Sequence, residues 1–196
     1  MKVLAINGSP RKGGNTEILI KTVFAELEKE GIETELVQLG NKPVHGCTAC
    51  YKCREVLNRQ CQIKNDAINE ILLKMIEADG ILLGTPVYFA DISSEMKALI
   101  DVSGYVTRGN GNLLKRKVGA AVIAVRRGGA VHTFDSINNF FLINEMIIPG
   151  SNYWNFAFGR NPGDVLQDEE GMQTMRTLGE NMAWLLKKIH KSSLSD

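Results

Sequence analysis

Outside residues 47 to 61 the 196-residue chain has no cysteine, and nowhere does it have a long apolar run, an internal repeat or a low-complexity segment. Each absence removes a class of explanation. No stretch approaches the roughly 18 apolar residues of a membrane span. The run Val3 to Ile6 is too short for the core of a secretion signal. The expectation is a cytoplasmic protein with no membrane partner. A formal charge of +1, with Lys115-Arg116-Lys117 the longest basic run, leaves no electrostatic footprint for nucleic acid. The G-x-x-x-x-G-K-[ST] loop of nucleotide triphosphatases and the G-x-G-x-x-G dinucleotide fingerprint are both missing. His45, His132 and His190 are far apart in sequence, and no His/Asp/Ser set suggests nucleophilic catalysis.

What is present reads as one domain over 1–196, with 44% hydrophobic and 23% charged residues. Lys2 to Ile6 is a buried strand, and Asn15 to Lys29 is a helix with Ile18, Leu19, Thr22, Val23 and Leu27 on one stripe. Glu33 to Leu39 forms a second strand, Asn65 to Asp79 a helix and Gly80 to Gly84 a third strand. Ser93 to Val106 is helical, Lys117 to Val125 a fourth strand and Thr133 to Glu145 a helix. A short fifth strand at Met146 to Pro149 and a closing helix from Asp168 to Lys188 complete the pattern. Continuous apolar strands alternating with helices mark an α/β parallel sheet covered on both faces. The natural topology is a flavodoxin-like, doubly wound five-stranded sheet of order 2-1-3-4-5, with ligand loops at the carboxyl ends of the strands. Two stretches exceed that minimal unit: about 39–64, which carries the cysteines, and about 150–167, rich in Gly, Asn, Pro and aromatics. Long insertions in a compact domain are usually functional.

After the first strand comes Gly8-Ser9-Pro10-Arg11-Lys12-Gly13-Gly14-Asn15-Thr16. Unpaired N–H groups at a helix start, with the positive end of its dipole, suit a phosphate. Ser9, Asn15 and Thr16 add side-chain donors and Arg11 a cation, which fits a single terminal phosphate; a tight strand-to-helix turn is the alternative. After the third strand, Pro86 stiffens a turn whose Val87, Tyr88, Phe89 and Ala90 offer flat apolar surface and backbone N–H groups to a ligand ring. After the fourth, Arg126-Arg127-Gly128-Gly129 occupies the matching place, where glycines allow close backbone approach and an arginine favours a reduced, anionic ring. Core packing for the aromatics and a solvated turn for the arginines are the other readings.

The four cysteines follow the spacing C-x2-C-x2-C-x7-C: Cys47, Cys50, Cys53 and Cys61. Three at successive x2 spacings wrap the corners of a cubane more readily than they converge on one ion, which favours a 4Fe-4S cluster. A four-thiolate zinc site usually pairs two separated C-x2-C knuckles, absent here. A redox-active or empty thiol group and zinc stay open beside the cluster. Lys52, Arg54, Arg59 and Lys64 surround the ligands and would offset its negative charge.

Residues 8–16 resemble the opening of NAD(P)H-dependent FMN reductases, and GTPVYFADISSEMKALID, Gly84 to Asp101, resembles their second flavin loop. From Lys2 to about Lys188 the chain resembles the iron-sulfur flavoproteins, whose motif is C-x2-C-x2-C-x(4 to 7)-C, this chain's x7 gap standing at the long end. The resemblance implies an FMN protein with Cys47, Cys50, Cys53 and Cys61 as 4Fe-4S ligands and Ser9, Arg11, Asn15 and Thr16 at the phosphate. Pro86 to Ala90, with Gly128 and Gly129, would lie at the ring. It also implies a ferredoxin-like electron donor, a small-molecule acceptor such as oxygen or peroxide, and a homodimer or homotetramer in which one subunit's cluster approaches another's flavin. Tyr153 and Trp154 in the second insertion would cover the flavin or build that interface, with core packing the alternative. The leading functional expectation is a relay from a one-electron donor through the cluster to FMN and on to an acceptor, the flavin carrying the electron chemistry. The alternatives are an NAD(P)H-dependent FMN or quinone reductase without a functional cluster, and a flavin-based redox sensor.

Overall fold

The computed structural model describes residues 1–193. Five parallel strands form one sheet: β1 Lys2–Asn7, β2 Glu33–Gln38, β3 Gly80–Pro86, β4 Val118–Val125 and β5 Phe156–Phe158, in the order β2-β1-β3-β4-β5. Register is set by pairs such as Leu4 with Glu35 and Ile81, and Leu83 with Ala121. Successive side chains point to opposite faces of a strand. Val3, Ala5 and Leu82 therefore pack with α1 (Asn15–Lys29) and α6 (Glu169–Ser193) in one core. Leu4, Ile6, Ile81, Leu83, Ala121 and Ile123 face a second core beneath α3 (Ile68–Glu77), α4 (Ser94–Gly109) and α5 (Ala130–Ile143). Full burial of both faces of β3 and β4 explains their unbroken apolar sequences.

The expected strand at Met146 to Pro149 is not β5. Ile147 makes only an isolated bridge to Val118. Pro149 has no N–H to offer the ladder, and the edge resumes at Phe156–Phe158, paired with Ile123 to Val125. The second insertion therefore contains the last strand and a 3-10 turn, Asp164–Gln167. The first contains a one-turn helix, α2 (Lys52–Val56), absent from the sequence expectation. The helix expected from Asn65 starts at Ile68, whose N–H donates to the Asp66 carboxylate at 3.0 Å. Asp66 also accepts from His45 N at 2.9 Å and so ties the first insertion to α3. Among the described residues no helix is long and apolar enough to cross a membrane.

Candidate functional site

The loop after β1 is held by polar side chains from its neighbour strand. Asn7 Oδ1 accepts from Ser9 N at 3.0 Å, while Asn7 Nδ2 donates to Gln38 Oε1 at 2.9 Å. Gln38 Nε2 donates to the Ser9 carbonyl, and Asn41 Nδ2 to the Pro10 carbonyl at 2.6 Å. Gly40 lies so close that a Cβ there would stand 2.2 Å from Ser9 O. The loop then enters α1 at Gly14, where no side chain caps the helix. That leaves the first-turn N–H groups for a ligand. Glu17 fixes the outer side: its carboxylate takes the Gly13 N–H at 2.7 Å and the Lys21 ammonium at 2.6 Å. Lys21, then Gly13, holds the Glu17 carboxyl below its ordinary range.

The loop after β3 is a tight reversal. Tyr88 N donates to Asp91 O at 2.8 Å and Asp91 N returns to Tyr88 O at 3.0 Å, with Phe89 and Ala90 both at positive φ. Such a turn usually takes Gly or Asn, so Phe-Ala at its tip carries backbone strain. Phe89 is fully exposed at that tip. Gly129, at φ +90°, sits where a Cβ would be 2.8 Å from Ala90 Cα, so its place is filled by contact between the two loops. Ser93 joins this loop to the first: its hydroxyl donates to Gly8 O at 3.0 Å and accepts from Met96 N at 3.4 Å, capping α4.

The three loops enclose a cleft of about 280 Å³ lined by Ser9, Arg11, Asn15, Thr16, Pro86, Val87, Tyr88, Ala124, Arg126, Gly159, Arg160 and Pro162. Seven residues expected from the sequence at a phosphate or ring thus meet in one place. Phe89, Ala90, Gly128 and Gly129 are outside that lining. Asn15 is engaged by protein, its Oδ1 accepting from Gly163 N at 2.8 Å. An uncapped helix start, two hydroxyls and three arginines, with no carboxylate in the lining, fit the dianionic phosphate of FMN. Beside the cleft Tyr153, Trp154, Phe156 and Phe158 form a chain of edge-on ring contacts along the β5 edge.

Cys47, Cys50, Cys53 and Cys61 all line a second, much smaller cavity against Val102, Tyr105 and Val106 of α4. The loop around it holds Ala49, Tyr51, Leu57 and Arg59 at positive φ, a tight winding of the backbone that carries the cysteines. Ala49 N donates to Cys47 Sγ at 3.4 Å. The Lys52 backbone N–H holds the Cys50 thiol below its ordinary range, and burial, then the neighbouring Cys61, pushes Cys53 up. Among the described residues no three His, Cys, Asp or Glu side chains stand close enough to hold a single metal ion. Arg54 lies 5.9 Å from the Tyr51 ring and 5.2 Å from the Tyr105 ring, closing the loop onto α4. The helix start abuts the flavin loops, and the cysteine cavity begins about 12 Å further along its axis at 1.5 Å per residue.

Two asparagines missed in the sequence anchor this loop. Asn69 Oδ1 accepts from Cys61 N at 2.8 Å while its Nδ2 donates to Cys61 O at 2.9 Å and Ile63 O at 3.1 Å. Asn110 Nδ2 donates to Cys53 O at 3.0 Å, and its Oδ1 accepts from Arg59 N at 3.0 Å. Their only sequence signal is an asparagine beginning one helix and ending another. Asn69→Ala is expected to cost about 1 to 3 kcal/mol, read as a lower denaturant midpoint with unchanged slope. An unchanged midpoint would mean the loop is held without it.

Comparison with known proteins agrees with this geometry. The model of the NADPH-dependent FMN reductase family matches residues 1–161. An iron-sulfur flavoprotein of Methanocaldococcus jannaschii is 43% identical over 97% of this chain and 100% of its own. One from Methanosarcina thermophila is 38% identical over 98% of each. The fold is shared with RosB, solved with bound 8-demethyl-8-formylriboflavin-5'-phosphate, at a TM-score of 0.75 and 18% identity over 98% of this chain and 81% of RosB. A flavodoxin-like sheet matched by this family model and by flavoprotein relatives defines a flavin-dependent oxidoreductase using FMN. The chain belongs to the iron-sulfur flavoproteins within the NADPH-dependent FMN reductase family.

Proposed function

We propose that this flavoprotein relays electrons from a one-electron donor through a 4Fe-4S cluster to FMN and on to a small-molecule acceptor. When bound, the cluster would supply single-electron steps and the flavin the exchange between one-electron and two-electron chemistry. The observation that carries the reading is the convergence of all four thiols on one cavity against α4, the helix whose start abuts the flavin cleft. Cys47, Cys50, Cys53 and Cys61 would be the ligands, with N–H donors at Ala49 and Lys52 directed at two of the sulfurs. The C-x2-C-x2-C-x7-C spacing, without two separated C-x2-C knuckles, supports a cluster over zinc. Ser9, Thr16 and Arg11 would hold the phosphate, with Pro86, Val87 and Tyr88 beside the ring.

The donor of this reading is ferredoxin-like, the protein works in the cytoplasm, and it assembles as a homodimer or homotetramer with Tyr153 and Trp154 near a partner's surface. A second reading, direct reduction of the flavin by NAD(P)H, is supported by the family model and by the arginine-lined cleft. Anaerobic rapid mixing separates the two. The relay predicts that a reduced ferredoxin bleaches the flavin absorbance quickly in the wild type and slowly in Cys61→Ala. Equal and fast bleaching of both proteins by NADPH would instead establish direct hydride transfer and overturn the relay.

A further inference from the structure

We propose that Arg160, in the second insertion, is the second cation of the flavin phosphate site and makes the cleft selective for FMN over riboflavin. The inference rests on the reading that this cleft holds FMN. The strap from Gly159 to Gly163 is built against the phosphate loop. Gly159 N donates to Val125 O at 2.8 Å, extending the edge of the sheet. Gly163 N donates to Asn15 Oδ1 at 2.8 Å, and Arg11 Nη1 donates to Arg160 O at 3.2 Å. Asp164 gathers the strap from behind, accepting from Arg160 N at 3.1 Å and from Asn161 N at 2.7 Å. The backbone is thereby satisfied and fixed at both ends, and Arg160 and Pro162 line the cleft opposite Ser9 and Thr16.

Charge supplies the second half of the argument. A phosphate monoester carries about −1.5 to −2 near neutral pH. The start of α1 offers about half a positive charge and Arg11 one more. That leaves a fully dianionic ester about half a charge short; Arg126 also lines the cleft but follows β4, in the loop expected at the ring, and no carboxylate lines the cleft to explain Arg160. Among the described residues the Arg160 guanidinium forms no ion pair, and Asp164, four residues on, is occupied by backbone N–H groups and the Asn161 amide. Asn15, expected from the sequence at the phosphate, lines the cleft and with its Oδ1 also latches the strap that carries this cation.

The test titrates apoprotein with FMN and with riboflavin, following flavin fluorescence, for the wild type, Arg160→Met, Arg160→Lys and Arg11→Met. Arg160→Met is expected to raise the FMN dissociation constant by about tenfold to a hundredfold, as for a lost charged hydrogen bond. Its riboflavin affinity is expected to stay unchanged, with Arg160→Lys recovering part of the FMN affinity. Equal loss for both flavins, or no loss for either, would overturn the clamp while leaving the cleft as the flavin site if Arg11→Met still weakens FMN alone. Were Arg11→Met also without effect on FMN, the cleft itself would be misassigned and the clamp would fall with it.

Discussion

Cys61→Ala is expected to purify anaerobically with FMN bound but with its iron and acid-labile sulfide lost, from about four of each per chain to near zero. Cys61 is the proposed ligand farthest along the sequence and the one fixed from outside the tight C-x2-C-x2-C winding. Its backbone is clamped on both sides by Asn69 at the start of α3, an anchor not shared with the other three cysteines lining the cavity. The flavin should be unaffected, because none of the twelve residues lining the cleft belongs to the cysteine loop. Iron content equal to that of the wild type would exclude Cys61 from the ligand set.

Gly40→Ala is expected to be the most damaging single change at the phosphate site, although residue 40 lies outside the cleft. The added methyl would meet Ser9 O at 2.2 Å, Ser9 C at 2.3 Å and Pro10 N at 2.6 Å, all backbone atoms with no rotamer to yield. Relief requires the loop to leave the position set by Asn7, Gln38 and Asn41. Overpacking of this kind costs about 2 to 3 kcal/mol. In a chain of this length that corresponds to a fall of roughly 5 to 10 °C in Tm. The FMN dissociation constant should rise about tenfold or more, the equivalent of at least one lost hydrogen bond to the phosphate. Gly150→Ala, with open space around the new methyl, is the matched control and should change neither quantity. A Gly40→Ala protein indistinguishable from that control would show that the loop is not fixed by this contact.

The order of the sheet was legible because its inner strands are continuous apolar runs and the helices between them show the 3.6-residue period. The edge strand was not. Met146 to Pro149 is the more apolar segment, but one bridge at Ile147 is all it contributes, and three residues, Phe156 to Phe158, take the pairing instead. An edge strand needs so few bonds that its location is decided by where the chain returns after Pro149. At the site, the short-range patterns were readable: Ser9 to Thr16 and the four cysteines each fall within one loop. Gln38, Asn41, Ser93 and Asn110 were not, because each acts across a long separation on the backbone of another segment, and Asn69 was not because it reaches back from a helix onto the loop before it. The contact of Asn15 with Gly163 was not legible either, and Arg160 lies 149 residues from its partner Arg11 in a stretch with no motif.

The relay from cluster to flavin is tested most directly by iron, acid-labile sulfide and flavin analysis of anaerobically purified protein, with its visible spectrum. The account predicts about four irons and four sulfides per FMN, with broad absorption beneath the flavin bands. A flavin spectrum without iron, unchanged after attempted reconstitution with iron and sulfide, would contradict it and leave direct NAD(P)H oxidation as the chemistry of the cleft.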